Sequence, residues 1–389
     1  VALFKYYSLK LSSPFFLKYF LEYSSKIFKE QSSGAVQAFV SLGQIRSFIF
    51  ALPPLAEQHR IVSKVDELMT LCDQLEQQTE SSLDAHNLLV DTLLSTLTDA
   101  HDAKELSDNW ARLADHFDTL ITTDYAVEQL KQTILQLAVQ GKLVPQDPSD
   151  EPASELLKRI VAEKEQLIKD KKIKEQKPPS EITDEEKSFE TPAGWEWCRS
   201  LSICEFVTDG EHLTPERIDD SSCVPLVTAK NVRDGYMDYS ITDYVPRHVA
   251  EKCWNRCKPE KRDVLMVSVG ATTGRLTVLD HDQEMVLVRS VTVLRPLRFN
   301  ADYFGFVLRS PQIQKWIWSN VRQSAQPCLY LSKSSEFPIP LPPLNEQKRI
   351  VAQADQLMSL CDQIKVQLHD AQITQLHLAD AVVDNALTL

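Results

Sequence analysis

The sequence predicts an α+β protein in which a mixed α/β domain joins long coiled-coil helices built on an internal repeat. Three observations predict it. Residues 55–140 contain neither Gly nor Pro, so the two strongest breakers are absent from a run that must be mostly helical. A 24-residue stretch recurs almost unchanged 289 positions later. Between residues 191 and 340, short β-prone runs alternate with turn signals.

Residues 1–50 carry Ser13-Pro14, an N-cap followed by Pro at the first helical position, and then Phe15, Phe16, Tyr19 and Phe20. Ser310-Pro311, with Ile313, Trp316 and Ile317, repeats that arrangement. The first 50 residues therefore read as the tail of a domain whose fuller copy spans 191–340. The chain opens on Val1 in an apolar stretch, as expected of a domain entered part-way.

Residues 51–145 form a helical spacer. LPPLAEQHRIVSKVDELMTLCDQL at 52–75 matches LPPLNEQKRIVAQADQLMSLCDQI at 341–364 in 16 of 24 positions. Pro-Pro forces extended backbone just before each helix starts. Ile61, Val65, Leu68, Cys72 and Leu75 step by 4, 3, 4 and 3, a heptad seam. The second copy, in the spacer helix of 341–389, places Ile350, Ala354, Leu357, Cys361, Ile364 and Leu368 on the same seam. Cys72 and Cys361 are expected to be buried there as small apolar residues. Residues 146–190 read as a solvated linker with a Glu/Lys-rich helix at about 154–176.

In 191–340, strands are expected over Val224–Thr228, Val264–Val269, Leu276–Leu279 and Met285–Leu294, mostly antiparallel. Turns fall at Asp209-Gly210, Asp234-Gly235 and Gly270–Gly274. Nine glycines in 389 residues, with neither G-x-G-x-x-G nor G-x-x-x-x-G-K-[ST], argue against a nucleotide-dependent enzyme. No apolar run approaches the ~18–20 residues of a membrane span. The eight cysteines are expected to be reduced thiols in a cytoplasmic protein.

The formal charge of −13 is unevenly placed. Residues 187–340 hold 19 basic and 19 acidic side chains, whereas 51–125 hold 4 against 15. The neutral domain can approach phosphates; the acidic helices suit a protein partner. Candidate DNA contacts lie in five places. Thr208, Asp209 and His212 follow a strand. Lys230, Asn231 and Arg233 occupy a turn, where Arg and Asn are the residue types that pair with guanine and adenine. Thr272, Thr273 and Arg275 end a Gly-bounded loop whose amides can hold phosphates, and Lys258 belongs to the basic run 252–262. Gln326, after Ser324, matches Gln37 in the partial copy. Each has a plain structural alternative as a turn or a solvated face. Cys253 and Cys257 lack zinc spacing, and no metal or other cofactor is expected.

The twin LPPLxEQ-x-RIV…D-x-L…LCDQ motif resembles type I restriction-modification DNA specificity (S) subunits. So do NWARLADHFDTL, LKQTILQLAVQGKLVPQDPSDEPASELLKRI, TPAGWEWCRS and VPLVTAKNV. The resemblance covers essentially the whole chain. It implies two target-recognition domains held apart by two long antiparallel helices, each domain reading half of a split double-stranded DNA target. On that pattern 1–50 is the remnant of the first recognition domain and 191–340 is the second. The helices would act as a ruler, since about 45 residues span ~65–70 Å. They would also dock DNA methyltransferase subunits, joined by a restriction/translocase subunit. The specificity subunit itself would be non-catalytic. Two full 289-residue units would need more residues than the chain has, and a chain truncated in this way could pair with itself. The competing reading is a coiled-coil structural protein that does not bind DNA; the turn-rich domain with clustered Arg, Lys and Asn speaks against it.

Overall fold

A computed structural model describes residues 10–25, 27, 40–322 and 325–388. They fall into two compact units, Val1–Leu88 and Leu89–Leu389.

In the first unit, α1 (Pro14–Tyr23) starts after Ser13 with Pro at its first turn, and α2 (Leu42–Ser47) opens on a capping box made by Ser41 and Gln44. Phe16, Phe20, Phe48 and Phe50 form an aromatic cluster, with Phe20 and Phe50 edge-to-face at 4.7 Å. α3 (Leu55–Asp99) begins in this unit. Its first turn is held by Gln58, which is wholly buried. The Gln58 carboxamide accepts from the Ser13 amide and donates to the carbonyls of Leu11 and Pro53. The seam expected over 61–75 is not buried. Ile61 and Val65 are half-buried, and Leu68, Cys72 and Leu75 are exposed. Cys72 therefore corrects the expectation of burial: heptad spacing reports an apolar stripe, not what covers it.

The second unit contains two joined cores. Helices form the first. Val90, Leu94 and Leu97 of α3 pack with Leu113 of α4 (Ala103–Asp115). The short α5 (Phe117–Leu120) leads to α6 (Asp124–Val139), whose Val127, Leu130, Ile134 and Leu137 face the same cluster. Against α6 lies the second copy of the repeated helix, described below as α12 (Leu344–Thr388). Ala354 and Cys361 are buried there, with Leu357, Ile364 and Leu368 partly buried. Lys131 pairs with Asp362 at 2.5 Å and Lys365 with Glu128 at 2.7 Å. These pairs run in opposite directions along the two helices, so α6 and α12 are antiparallel.

The other core belongs to the α/β domain. α7 (Ala153–Lys169) is not a solvated linker helix. Leu156 and Ile160 are buried with Trp195, Phe304 and Phe337. Lys164 donates to the carbonyls of Leu201 and Cys204 at 2.7 and 2.9 Å, and this burial lowers its pKa. The Glu/Lys pattern marked only its outer face; one apolar stripe every three to four residues suffices to dock a helix.

The strands are β1 (Glu196–Arg199), β2 (Cys204–Asp209), β3 (Val224–Val227), β4 (Asp243–Val245), β5 (Val264–Val267), β6 (Leu276–Val278), β7 (Val286–Leu287), β8 (Val291–Pro296) and β9 (Pro338–Leu341). Three helices, α8 (Arg247–Trp254), α9 (Ala301–Arg309) and α10 (Pro311–Asn320), and the short α11 (Leu331–Ser334) complete the domain. β2-β8-β5-β6 form an antiparallel four-stranded sheet and β4-β3-β7 a three-stranded one, in which β3 and β7 are parallel. β1 pairs with β9, closing the start of the domain onto its end.

α12 leaves β9 through the repeated motif. Gln347 is wholly buried. Its carboxamide accepts from the Asn300 amide at 2.9 Å and donates to the Pro342 carbonyl at 2.9 Å. Gln58 and Gln347 thus do the same work 289 positions apart. Glu346, beside it, accepts from the Trp195 indole at 3.0 Å, and burial raises its pKa.

Candidate nucleic-acid interface

The register of the four-stranded sheet brings several loops to one end. Asp209 lies opposite Thr292, Val267 opposite Val291, and Met266 opposite Leu276. The segments after β2, between β5 and β6, and before β8 therefore leave from a common edge. Residues 325–330 join them: the Leu329 amide donates to the Ser268 carbonyl, and the Gly270 amide to the Pro327 carbonyl, both at 2.8 Å. The turn after β3 reaches the same edge, since the Gly235 amide donates to the Leu276 carbonyl at 3.0 Å.

Gly210 makes the approach of β2 to β7 possible. A Cβ there would stand 2.2 Å from the Leu287 carbonyl oxygen, and the Glu211 amide donates to that same oxygen at 2.7 Å. Gly210→Ala is expected to lower stability by about 1–3 kcal/mol, the range for forced overpacking, read as a lower urea midpoint.

Several expected contact residues prove to be braces. Asn231 is wholly buried. Its Oδ1 accepts from the Thr228 amide and hydroxyl, and its Nδ2 donates to the carbonyls of Asp238 and Ile241 and to the Thr242 hydroxyl. It has no capacity left for an adenine edge. Thr273 is also buried, its hydroxyl donating to the Gly270 carbonyl at 2.7 Å. Four amides of the 268–275 loop, expected to be available to phosphates, are engaged within the fold. Those of Gly270, Thr273, Gly274 and Arg275 donate to Pro327, Gly270, Val267 and Thr272 carbonyls respectively. Glycine at 274 answers a positive φ of 94° and the nearby Gln314 side chain. Asp209, 13% exposed at its side chain, pairs with Arg256 and with His212, and so holds both in place.

Most remaining cations are neutralised locally. Lys230 pairs with Asp243 at 3.1 Å, Arg233 with Asp238 at 3.1 Å, Lys258 with Glu284 at 3.2 Å, and Arg275 with Asp234 at 3.9 Å. Lys258 also stands over the Trp254 ring at 4.6 Å. Thr208 and Thr272 are half-buried, and His212 is half-exposed. His212 and Gln326 line one concavity at the loop-bearing end, of about 480 Å3, together with Arg289, Arg322 and Tyr330. Ser324 and Gln37 lie outside the described residues. Sequence reasoning did not single out Arg289 and Arg322, which carry no motif; Arg289-Ser290 breaks an otherwise largely apolar β-run.

Among the described residues, no group of three or more His, Cys, Asp or Glu side chains is placed to hold a metal. Nor is any described helix long and apolar enough to cross a membrane. The fold and site define a protein that presents loops from a sheet end, on a domain clamped to a long helix. The family model for the type I restriction modification DNA specificity domain matches residues 5–85 and 194–374, and the chain belongs to that family. It is 40% identical over 400 residues to the type I restriction enzyme EcoAI specificity subunit of Escherichia coli, covering 98% of this chain and 64% of that protein. It is 39% identical over 370 residues to the EcoEI specificity subunit of the same organism, covering 92% of this chain and 61% of that protein. The chain thus spans under two thirds of the length of these curated relatives. A chain from a structural study of complex assembly and conformational transition of the type I R-M system shares the fold. Its TM-score is 0.53 at 18% identity, with 97% of this chain and 71% of that chain covered.

Proposed function

We propose that the protein is a non-catalytic DNA sequence-recognition subunit of a type I restriction-modification complex. Its α/β domain reads one half of a bipartite double-stranded target, and its long helices dock DNA methyltransferase subunits, with a restriction/translocase subunit joining the assembly. The observation that carries the reading is family membership over both copies of the repeat, combined with the gathering of separate loops at one end of the four-stranded sheet. The acidic surface of 51–125 suits a protein partner better than a phosphate backbone. So does the apolar stripe left exposed on α12, including Ile373, Leu376, Val382 and Val383.

The test is co-expression with the methyltransferase subunit of the same system. The full chain is expected to co-purify with it and to retain a preferred duplex from a random-sequence pool. Failure to recover the methyltransferase removes the docking claim. A complex that binds all duplexes equally removes the recognition claim.

A further inference from the structure

At the loop-bearing end of the sheet, the cations divide into two groups. Lys230, Arg233, Lys258 and Arg275 each face a carboxylate at 3.9 Å or less. Arg289 has no ion-pair partner among the described residues, and its side chain is exposed. Arg322, also exposed, donates through Nη1 to the Tyr330 hydroxyl at 2.7 Å and meets no carboxylate among the described residues. Both line the same concavity of about 480 Å3, and no Asp or Glu does.

The backbones beneath the two arginines are fixed. The Arg289 amide donates to the Glu211 carbonyl at 2.8 Å. Arg322 and Cys328 form a bridge, with the Arg322 amide donating to the Cys328 carbonyl at 3.0 Å. Val288 continues the parallel pairing of β7 with β3, and Leu329 is tied to Ser268. Two guanidinium groups thus project from braced loops into a site without counter-charge. The Tyr330 hydroxyl orients one of them, and His212 and Gln326 add polar edges nearby. A planar fork of N–H donors held this way matches the paired acceptors O6 and N7 that guanine presents in the major groove. A phosphate contact depends chiefly on charge, which lysine also supplies as a point charge.

We propose that Arg289 and Arg322 are specificity-determining residues that read guanine edges in the DNA major groove from this concavity. The proposal rests on the recognition function argued above and names where that recognition is made.

The experiment selects duplexes with a randomised core, using the full chain in complex with its co-expressed methyltransferase subunit. Wild type is compared with Arg289→Lys, Arg322→Lys and the two alanine variants; thermal melts first establish that each is folded. Arginine-to-lysine exchange keeps the charge and removes the fork. Each lysine variant is expected to lose the preference for a G·C pair at one position of the selected sequence. Its affinity for the wild-type duplex should fall about 5- to 150-fold, the range for one bidentate contact, with a much smaller loss on scrambled duplex. Unchanged preference in all four variants overturns the proposal while the recognition function stands. Lysine variants that behave as wild type beside weakened alanine variants also overturn it, since they assign the arginines to phosphates. A wild-type complex that selects no sequence overturns the recognition function and the proposal with it.

Discussion

Arg199→Leu is expected to lower the stability of the second unit by about 3–5 kcal/mol, the range for removing one partner of a buried ion pair. Arg199 ends β1, and its side chain is 4% exposed. It bonds both Glu186 oxygens at 2.8 and 2.7 Å and lies 3.3 Å from Glu336. It also donates to the carbonyls of Ser180, Glu181 and Glu336. One guanidinium therefore fastens the segment before β1 to the residues before β9. Leucine in its place would leave the Glu186 carboxylate without its two guanidinium donors and three carbonyls without theirs. Urea unfolding followed by circular dichroism gives the change in midpoint; a shift of under 1 kcal/mol would mean that the segment relaxes to recover the lost bonds.

The same site predicts an acid dependence. Arg199 holds the Glu186 carboxyl down at about 2, against an ordinary 4.5. A depressed folded-state pKa gives stability that is fully present above the unfolded value and lost as pH falls through the folded one. The contribution, reduced by the solvent that reaches this partly exposed carboxylate to on the order of 1–2 kcal/mol, should fade between about pH 5 and pH 2. Arg199→Leu should flatten the wild-type curve over that interval.

Gln347→Leu has the next largest expected effect, about 2–5 kcal/mol. It leaves the buried Asn300 amide and Pro342 carbonyl without partners, each at roughly 1–3 kcal/mol. Leucine has similar bulk, so the loss reports unpaired polar groups and not a cavity. Gln58→Leu should reproduce the effect in the first unit, where Ser13, Leu11 and Pro53 are the stranded groups. If only one variant is destabilised, the two copies of the motif do not carry equal loads.

The repeat itself was legible because identity over 24 residues needs no physical model, and β3, β5 and β6 because β-branched runs were bounded by turns; the run 285–294, expected as one strand, is two, β7 and β8, in different sheets. The seam was legible as spacing and not as burial. Cys361 has α6 beside it and is 2% exposed, while Cys72, at the same heptad position, is exposed. The helix at 153–169 was misread because Glu and Lys dominate its composition, whereas Leu156 and Ile160 decide where it sits. Asn231 looked like a contact residue because Asn types pair with adenine. A sequence does not reveal that five bonding groups wait around it. Conversely, Arg289 carries no motif, and only the absence of a neighbouring carboxylate distinguishes it from Arg233 or Lys230.

The braced loops have an evolutionary consequence. Many of their backbone amides and carbonyls pair with one another or with the buried Asn231 and Thr273 side chains, whereas Arg289 and Arg322 project outward from that frame. Exposed side chains of this kind are usually exchanged within about ±0.5 kcal/mol of stability. The vocabulary of the surface can drift one letter at a time while its grammar, the hydrogen-bonded frame beneath, stays unchanged.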